Sequence, residues 1–160
     1  MGKVNIFITL LVIQLIVGFS DAALRIDNES ELREAQAALF NLNSETGWLL
    51  LNYVDDNTVH MVAGGEGTAE DLVAQLEYDQ VQYAIIRVPT SGGNHRDVFI
   101  DWIGPEVGLA ERTAKALNRG NAEDMLRPFD SSITALNSER LTDENIVTYS
   151  NPLSLVRVIA

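Results

Sequence analysis

The stretch from Val81 to Gly104, VQYAIIRVPTSGGNHRDVFIDWIG, limits what this chain can fold into more than any other. Successive side chains of a strand alternate between faces, so Val81, Tyr83 and Ile85 point one way and Ala84, Ile86 and Val88 the other. A strand that is apolar on both faces must be covered on both, which places it in the middle of its sheet. DVFIDWI reads the same way, with Pro89–Arg96 as the connecting loop and Gly104-Pro105 as the stop. The pattern predicts a hairpin whose strands, 81–88 and 97–103, are the middle strands of one sheet.

The flanking sequence supplies layers for that sheet. SELREAQAALFNL places Leu32, Ala35, Leu39 and Leu42 at helical spacing, with Asp27, Asn28 or Ser30 available as a cap, which predicts a helix over 28–42. WLLLNYV and TVHMVA, joined by Asp55-Asp56-Asn57, read as a second hairpin. Thr68 and Asp71 have the spacing of a capping box ahead of a short helix that buries Leu72, Val73 and Leu76. Residues 109–126 are helical in pattern, SSITAL at 131–136 is a strand, and Thr142-Asp143-Glu144 opens a short helix that Pro152 must end. LSLVRVIA reads as a loose strand or a tail. Paired hairpins without βαβ alternation predict an α+β domain: a single central mixed β-sheet with helices packed on both faces.

Residues 1–22 stand apart from this domain. Lys3, an uncharged apolar run from Val4 to Phe19, and Ser20-Asp21-Ala22 follow the order of a signal peptide-like leader, with cleavage expected after Ala22. The domain is then expected over 23–150, followed by a C-terminal tail, 151–160. The net charge of −12 opposes nucleic acid and anionic membrane surfaces as partners. The absence of cysteine removes disulfide frameworks and thiolate metal sites. His60 and His95 lack metal-ligand spacing, so neither metal nor cofactor is expected.

Few residues suggest chemistry. Gly64-Gly65-Glu66-Gly67 precedes a helix, but with Glu66 in the loop and no lysine after it, a turn is expected rather than a phosphate site. Trp48 and Trp102 fall in strand patterns and belong to the core. Asp55-Asp56 and Glu123-Asp124 read as solvated acids, His95-Arg96 as an exposed loop pair, and no nucleophile motif is present. An enzyme is therefore not expected. Arg112, Lys115 and Arg119, at i, i+3 and i+7, place three cations on one helical stripe. Spacing alone leaves two readings of it: a binding stripe, or a solvated face laced to Glu111 and Glu123. Arg87 interrupts an apolar strand, either as a sheet-edge residue offered to a partner or as a buried arginine paired with an acid.

Taken in order, several segments resemble the actin-depolymerising-factor homology family, especially its coactosin and drebrin-like branches. They are Ile26-Asp27, Trp48-Leu49-Leu50, Val81-Gln82-Tyr83-Ala84 through Arg87-Val88, Val98-Phe99-Ile100-x-Trp102-x-Gly104, Gly108-Leu109, Ile133-Thr134-Ala135 and Leu141–Asn145. The resemblance implies the gelsolin-like fold of that family and non-enzymatic, coactosin-like regulation of actin filament organisation. It implies a monomer that binds actin, filaments rather than monomeric actin, in the cytoplasm at the actin cytoskeleton. The implied contacts are Leu109, Arg112, Lys115 and Arg119, with Arg87 as a further candidate. Three features depart from the family pattern: Asn118, Gly120 and Asn121 interrupt the helix, Glu123-Asp124 replace lysines, and Pro152 shortens the last helix. As written, the leader would direct secretion. The alternative expectation is an exported binding protein that keeps this fold but recognises a partner other than actin.

Overall fold

A computed structural model describes residues 23–41 and 43–160. The leader and Leu42 lie outside the described residues. The elements run β1 (Arg25–Ile26), α1 (Glu29–Leu39), β2 (Gly47–Asp55), β3 (Thr58–Gly65), α2 (Ala69–Val73), β4 (Val81–Thr90) and β5 (Asn94–Ile103). They continue with α3 (Leu109–Ala116), α4 (Arg119–Leu126), β6 (Ser131–Ala135), α5 (Asp143–Tyr149) and β7 (Val158–Ile159). The seven strands form one sheet in the order β1-β3-β2-β4-β5-β6-β7. The β2–β3, β2–β4 and β4–β5 pairs are antiparallel, and β1–β3, β5–β6 and β6–β7 are parallel. The sheet is mixed, as expected, and β4 is its central strand.

The hairpin is longer than its sequence pattern suggests. Pairing continues outward to Thr90 opposite Asn94, so His95 and Arg96 are strand residues and only Ser91, Gly92 and Gly93 turn. Gly92 and Gly93 have φ of +84° and +75°, a region side chains other than glycine rarely adopt. Arg96 is not idle there: its Nη1 donates to Val147 O and Ser150 Oγ, satisfying groups at the end of α5. At the other end, Gly104 lets the chain leave β5 tightly, since a Cβ there would lie 2.1 Å from the Tyr78 carbonyl oxygen.

Alternation along β4 divides the core in two. Ala84, Ile86 and Val88 join Trp48, Leu50, Val98, Ile100, Trp102 and Ile133 beneath α2 and α5. Val81, Tyr83 and Ile85 join Leu49, Leu51, Phe99, Ala122 and Leu126 beneath α1 and α4. Ile86 and Ile100 are both fully buried, as middle strands require. The edge at β3 is closed by a side chain: Asn28 Nδ2 donates to Met61 O, and Met61 N–H donates to Asn28 Oδ1. Asn28 holds the N-cap position of α1, yet its amide serves this edge instead. The Thr68–Asp71 pair forms as expected, with Thr68 N–H donating to Asp71 Oδ2 at 2.8 Å.

Two segments differ from the simplest sequence pattern. The helical stretch 109–126 is two helices, broken at Leu117-Asn118, just before Gly120 and Asn121. The last residues hold a short strand, β7, whose Ile159 is buried while Leu153, Leu155 and Val156 are exposed.

Candidate functional site

The helix pair α3–α4 is positioned from its two ends and at its break. Arg112 lies in the first turns of α3, and its guanidinium folds back on the approach from β5. Its Nε donates to Val107 O at 2.8 Å and its Nη2 to the carbonyls of Gly104 and Pro105, each at 3.3 Å. These contacts hold the start of the helix against the end of β5.

At the break, Lys115 O accepts from Asn118 N–H at 2.9 Å and has a second lone pair to offer. The Tyr83 hydroxyl donates to Lys115 O at 3.0 Å. With its hydrogen so used, Tyr83 can only accept from the Tyr53 hydroxyl, 2.9 Å away. Burial raises both phenols above their ordinary range, Tyr83 the more strongly, so each remains protonated and able to donate. Lys115 turns its side chain inward, placing Nζ 3.4 Å from the centre of the Tyr53 ring. It is 7% exposed. Burial lowers its pKa, against the opposing fields of Asp56, Glu111 and Asp55.

Arg119 opens α4 and reaches over the Phe99 ring to the sheet. It donates to Asp101 Oδ2 at 3.2 Å, Thr134 Oγ1 at 2.9 Å, Ser132 Oγ at 3.3 Å and Glu123 Oε1 at 3.1 Å. Asp101 and Thr134 are register partners on β5 and β6, which explains why one guanidinium can meet both. Burial raises the Asp101 pKa and Glu123 adds to the rise, while Arg119 opposes it.

The predicted residues therefore meet along one helix pair but do not form a continuous exposed stripe. Lys115 is buried, Arg112 is bound to loop carbonyls, and Arg119 is paired with two acids. The reason is that both sides of the break are fastened to the sheet through these side chains. Leu109, by contrast, is 81% exposed. Arg87 lies elsewhere, four positions along β4 from Tyr83, or about 13 Å. It is 3% exposed. Its Nε and Nη2 grip Asp97 Oδ1 and Oδ2 at 2.8 and 2.9 Å, and Nη1 donates to the carbonyls of Asn41 and Ser44. Of its two readings, the buried arginine paired with an acid is the one observed, and no sheet edge is involved.

What α3 presents to solvent is mixed: Glu111 and Thr113 are exposed, and so are several apolar residues. Leu109 is joined by Leu117, 74% exposed, and by exposed Ala110 and Ala114. Ala110, Ala114 and Leu117 stand at i, i+4 and i+7, a spacing visible in the sequence that would have found this face. Reading the helix for its cations obscured it. Among the described residues no cluster of His, Asp and Glu could hold a metal ion.

A model of the cofilin/tropomyosin-type actin-binding protein family matches residues 25–150. The mouse drebrin-like protein is 31% identical over 122 residues, covering 75% of this chain and 28% of that protein. The chain thus spans less than a third of the length of that relative. The human coactosin-like protein shares the fold with a TM-score of 0.68 at 19% identity, over 79% of this chain and 96% of its own. Mouse coactosin, an actin filament binding protein, superposes with a TM-score of 0.62 at 19% identity, over 78% and 88% of the two chains.

Proposed function

The chain belongs to the cofilin/tropomyosin-type actin-binding protein family, and from that premise we propose that it binds actin filaments along their sides, as a monomer and without a catalytic step. The observation that carries this reading is the pair of exposed leucines at the two ends of α3, Leu109 and its C-cap Leu117, on a helix that the sheet fastens at its start and at its break. An exposed apolar patch on a rigid support is what a docking surface requires, whereas scattered apolar residues need no explanation. Leu109 and Leu117 make the contact in this reading. Arg112, Lys115 and Arg119 serve it by fixing the helix pair, and any share they take in binding comes from the parts of Arg112 and Arg119 left exposed. Arg87 contributes to the fold alone. The filament preference is supported by the fold shared with mouse coactosin, and the activity belongs at the actin cytoskeleton of the cytoplasm.

Co-sedimentation tests the proposal. The chain is expected to pellet with filamentous actin and to elute separately from monomeric actin on gel filtration. Leu109→Asp combined with Leu117→Asp should stay in the supernatant while retaining native circular dichroism. A parent chain that stays in the supernatant at every actin concentration overturns the assignment. A doubly substituted chain that pellets like the parent moves the contact away from α3.

A further inference from the structure

A second surface lies at the opposite end of β2 from the α3 contact. Gly47 and Tyr53, whose ring meets Lys115, are six positions apart on that strand, or about 20 Å. Around Gly47 the end of α1, the turn 41–46 and the ends of β2 and β3 enclose a cleft of about 430 Å³. Pockets that hold ligands span roughly 300–1,000 Å³. Glycine leaves the space open. Gly64 faces the α1 side without a side chain, since a Cβ there would meet Leu49 Cδ2, and a Cβ on Gly65 would meet nothing within 4 Å. The wall formed by the turn is fastened in place. Arg87, fixed by Asp97, donates from Nη1 to the carbonyls of Asn41 and Ser44, and Ser44 N–H donates to Asn41 O at 3.0 Å. A wall held in advance costs little to order on binding.

Two observations say what fits this cleft. Gly64 and Gly65 line it and also belong to an open sheet edge. β1 pairs with β3 only at Thr58 and Val59, and Asn28 serves Met61, so among the described residues 62–65 have no strand on their outer side. Such an edge accepts an extended segment through backbone hydrogen bonds, and glycines let that segment come close. Charge is the second observation. Among the described residues Glu66 is the charged member of the lining. Exposed Glu31 and Glu34 stand four positions before the lining alanines Ala35 and Ala38, on the same helix faces, and Glu45 is exposed in the turn. The cations of these elements are already engaged, Arg33 by Glu29 and Arg87 by Asp97. We propose that the cleft and the edge of β3 together bind an extended basic segment of another protein, with a lysine or arginine seated in the cleft beside Glu66. The apolar stem of that side chain lies against Ala35, Ala38 and Leu39, and its charged end meets the carboxylate. The contact does not depend on the assignment of α3 to actin.

Nuclear magnetic resonance titration of the full chain tests the site. The probe is an acetylated octapeptide of alternating threonine and lysine, and its control carries glutamate in place of lysine. The lysine peptide should shift amides within 38–47 and 62–66 and leave those of 109–117 in place, and the glutamate peptide should shift neither set. Glu66→Lys should weaken binding by about tenfold or more. Glu139→Lys makes the same change in net charge at an exposed position elsewhere and should weaken it by less than about twofold. Gly65→Leu fills the open space without changing charge and should weaken it by about fivefold or more. If Gly65→Leu loses native amide dispersion, Ala38→Met narrows the cleft from the exposed side of α1 and takes its place. Equal losses at Glu66→Lys and Glu139→Lys, or shifts scattered over the acidic surface, mean attraction to net charge alone and overturn the proposal. So does a folded cleft-filling variant that binds like the parent, or a lysine peptide that shifts nothing at roughly millimolar concentration.

Discussion

Beneath α2 and α5, the buried polar residues are Gln82, Ser131 and Ser150, all neutral; on the other side of the sheet, beneath α1, α3 and α4, they are Arg87, Asp97, Asp101 and Lys115, all charged. The first side is held mainly by burial of Trp48, Leu50, Ile86, Ile100, Trp102 and their neighbours, an attraction with no preferred direction, with half-buried Arg96 as the cation tying α5 to β5. The second adds contacts that work at one geometry only. Arg87 and Asp97 bind β4 to β5 and to the loop after α1. Asp101 and Arg119 bind β5 to α4, and Lys115 binds α3 to the Tyr53 ring. The difference follows what each side must do. Helices that only seal a core can rest on apolar packing, whereas a helix pair that presents a surface must be held in orientation, at the cost of desolvating charge.

The sharpest break in the comparison is expected at Arg87. Arg87→Met leaves Asp97 charged and buried without its partner, which should cost about 3–5 kcal/mol in urea unfolding. Adding Asp97→Leu removes the stranded charge and should restore most of that loss, to within about 1 kcal/mol of the parent. On the other side, Leu50→Ala should cost about 2–5 kcal/mol by leaving a cavity, and no polar second substitution should recover it. If Arg87→Met alone proves neutral, the pair contributes nothing directional and the contrast between the two sides fails.

Next in size is Tyr83→Phe. It removes one of two donors to Lys115 O, Asn118 N–H being the other, and takes a buried partner from the Tyr53 hydroxyl, for about 1 kcal/mol. The loss should localise. Hydrogen exchange should quicken at amides around 115–119, and amides under α5 should keep their protection. Uniform loss of protection would mean that the phenol supports the whole core rather than the helix break.

These partners show where sequence reading succeeds and where it stops. The central hairpin was legible because a period of two with both faces apolar admits one position in a sheet. Arg87 and Asp97 were nearly legible: once the turn is set at Ser91–Gly93, equal steps outward bring them opposite each other. The break after Ala116 was foreshadowed by Asn118, Gly120 and Asn121. The fate of the cations was hidden, because spacing along a helix states which residues share a face but not what lies beneath it. Tyr53 and Asp101 come from strands remote in sequence and meet Lys115 and Arg119 only once the sheet has formed. Leu117 was overlooked for the complementary reason: a leucine in a helix is presumed buried until the fold shows its side uncovered.

Asp101 gives the two sides different responses to pH. In the unfolded chain its carboxyl titrates near the ordinary value of ~3.9. Folding raises it by burial, beyond what Arg119 offsets. The folded state therefore holds this proton more firmly. The stability it contributes is fully present below the unfolded value and is lost as pH rises through the raised folded value. Asp101→Asn lacks this term and can still accept from Arg119. Relative to that variant, the parent should lose stability as pH rises from the unfolded value through the raised folded value, measured by urea unfolding across the series. A relative stability that is flat or rises with pH would show that Arg119 outweighs burial.

The smallest effect on stability separates the exposed leucines of α3 and its C-cap from everything beneath them. Leu109→Ser and Leu117→Ser replace side chains that are 81% and 74% exposed and that hold nothing in place. Substitutions at such positions usually stay within about 0.5 kcal/mol, so thermal and urea unfolding should barely move. Binding should move by far more, because an apolar anchor is desolvated only in the complex. The same comparison made at Arg119 should go the other way. Arg119→Met strands Asp101 and releases α4 from β5 and β6, so it should lower stability clearly and disturb binding only through the altered orientation of the helix pair. A pelleting assay run beside urea unfolding thus yields a crossed pattern: binding lost with stability kept at the leucines, stability lost first at the arginine. If both substitutions lower stability and binding in proportion, the charged contacts and the exposed leucines are parts of one packing unit. The division between a held interior and a presented surface would then have to be abandoned.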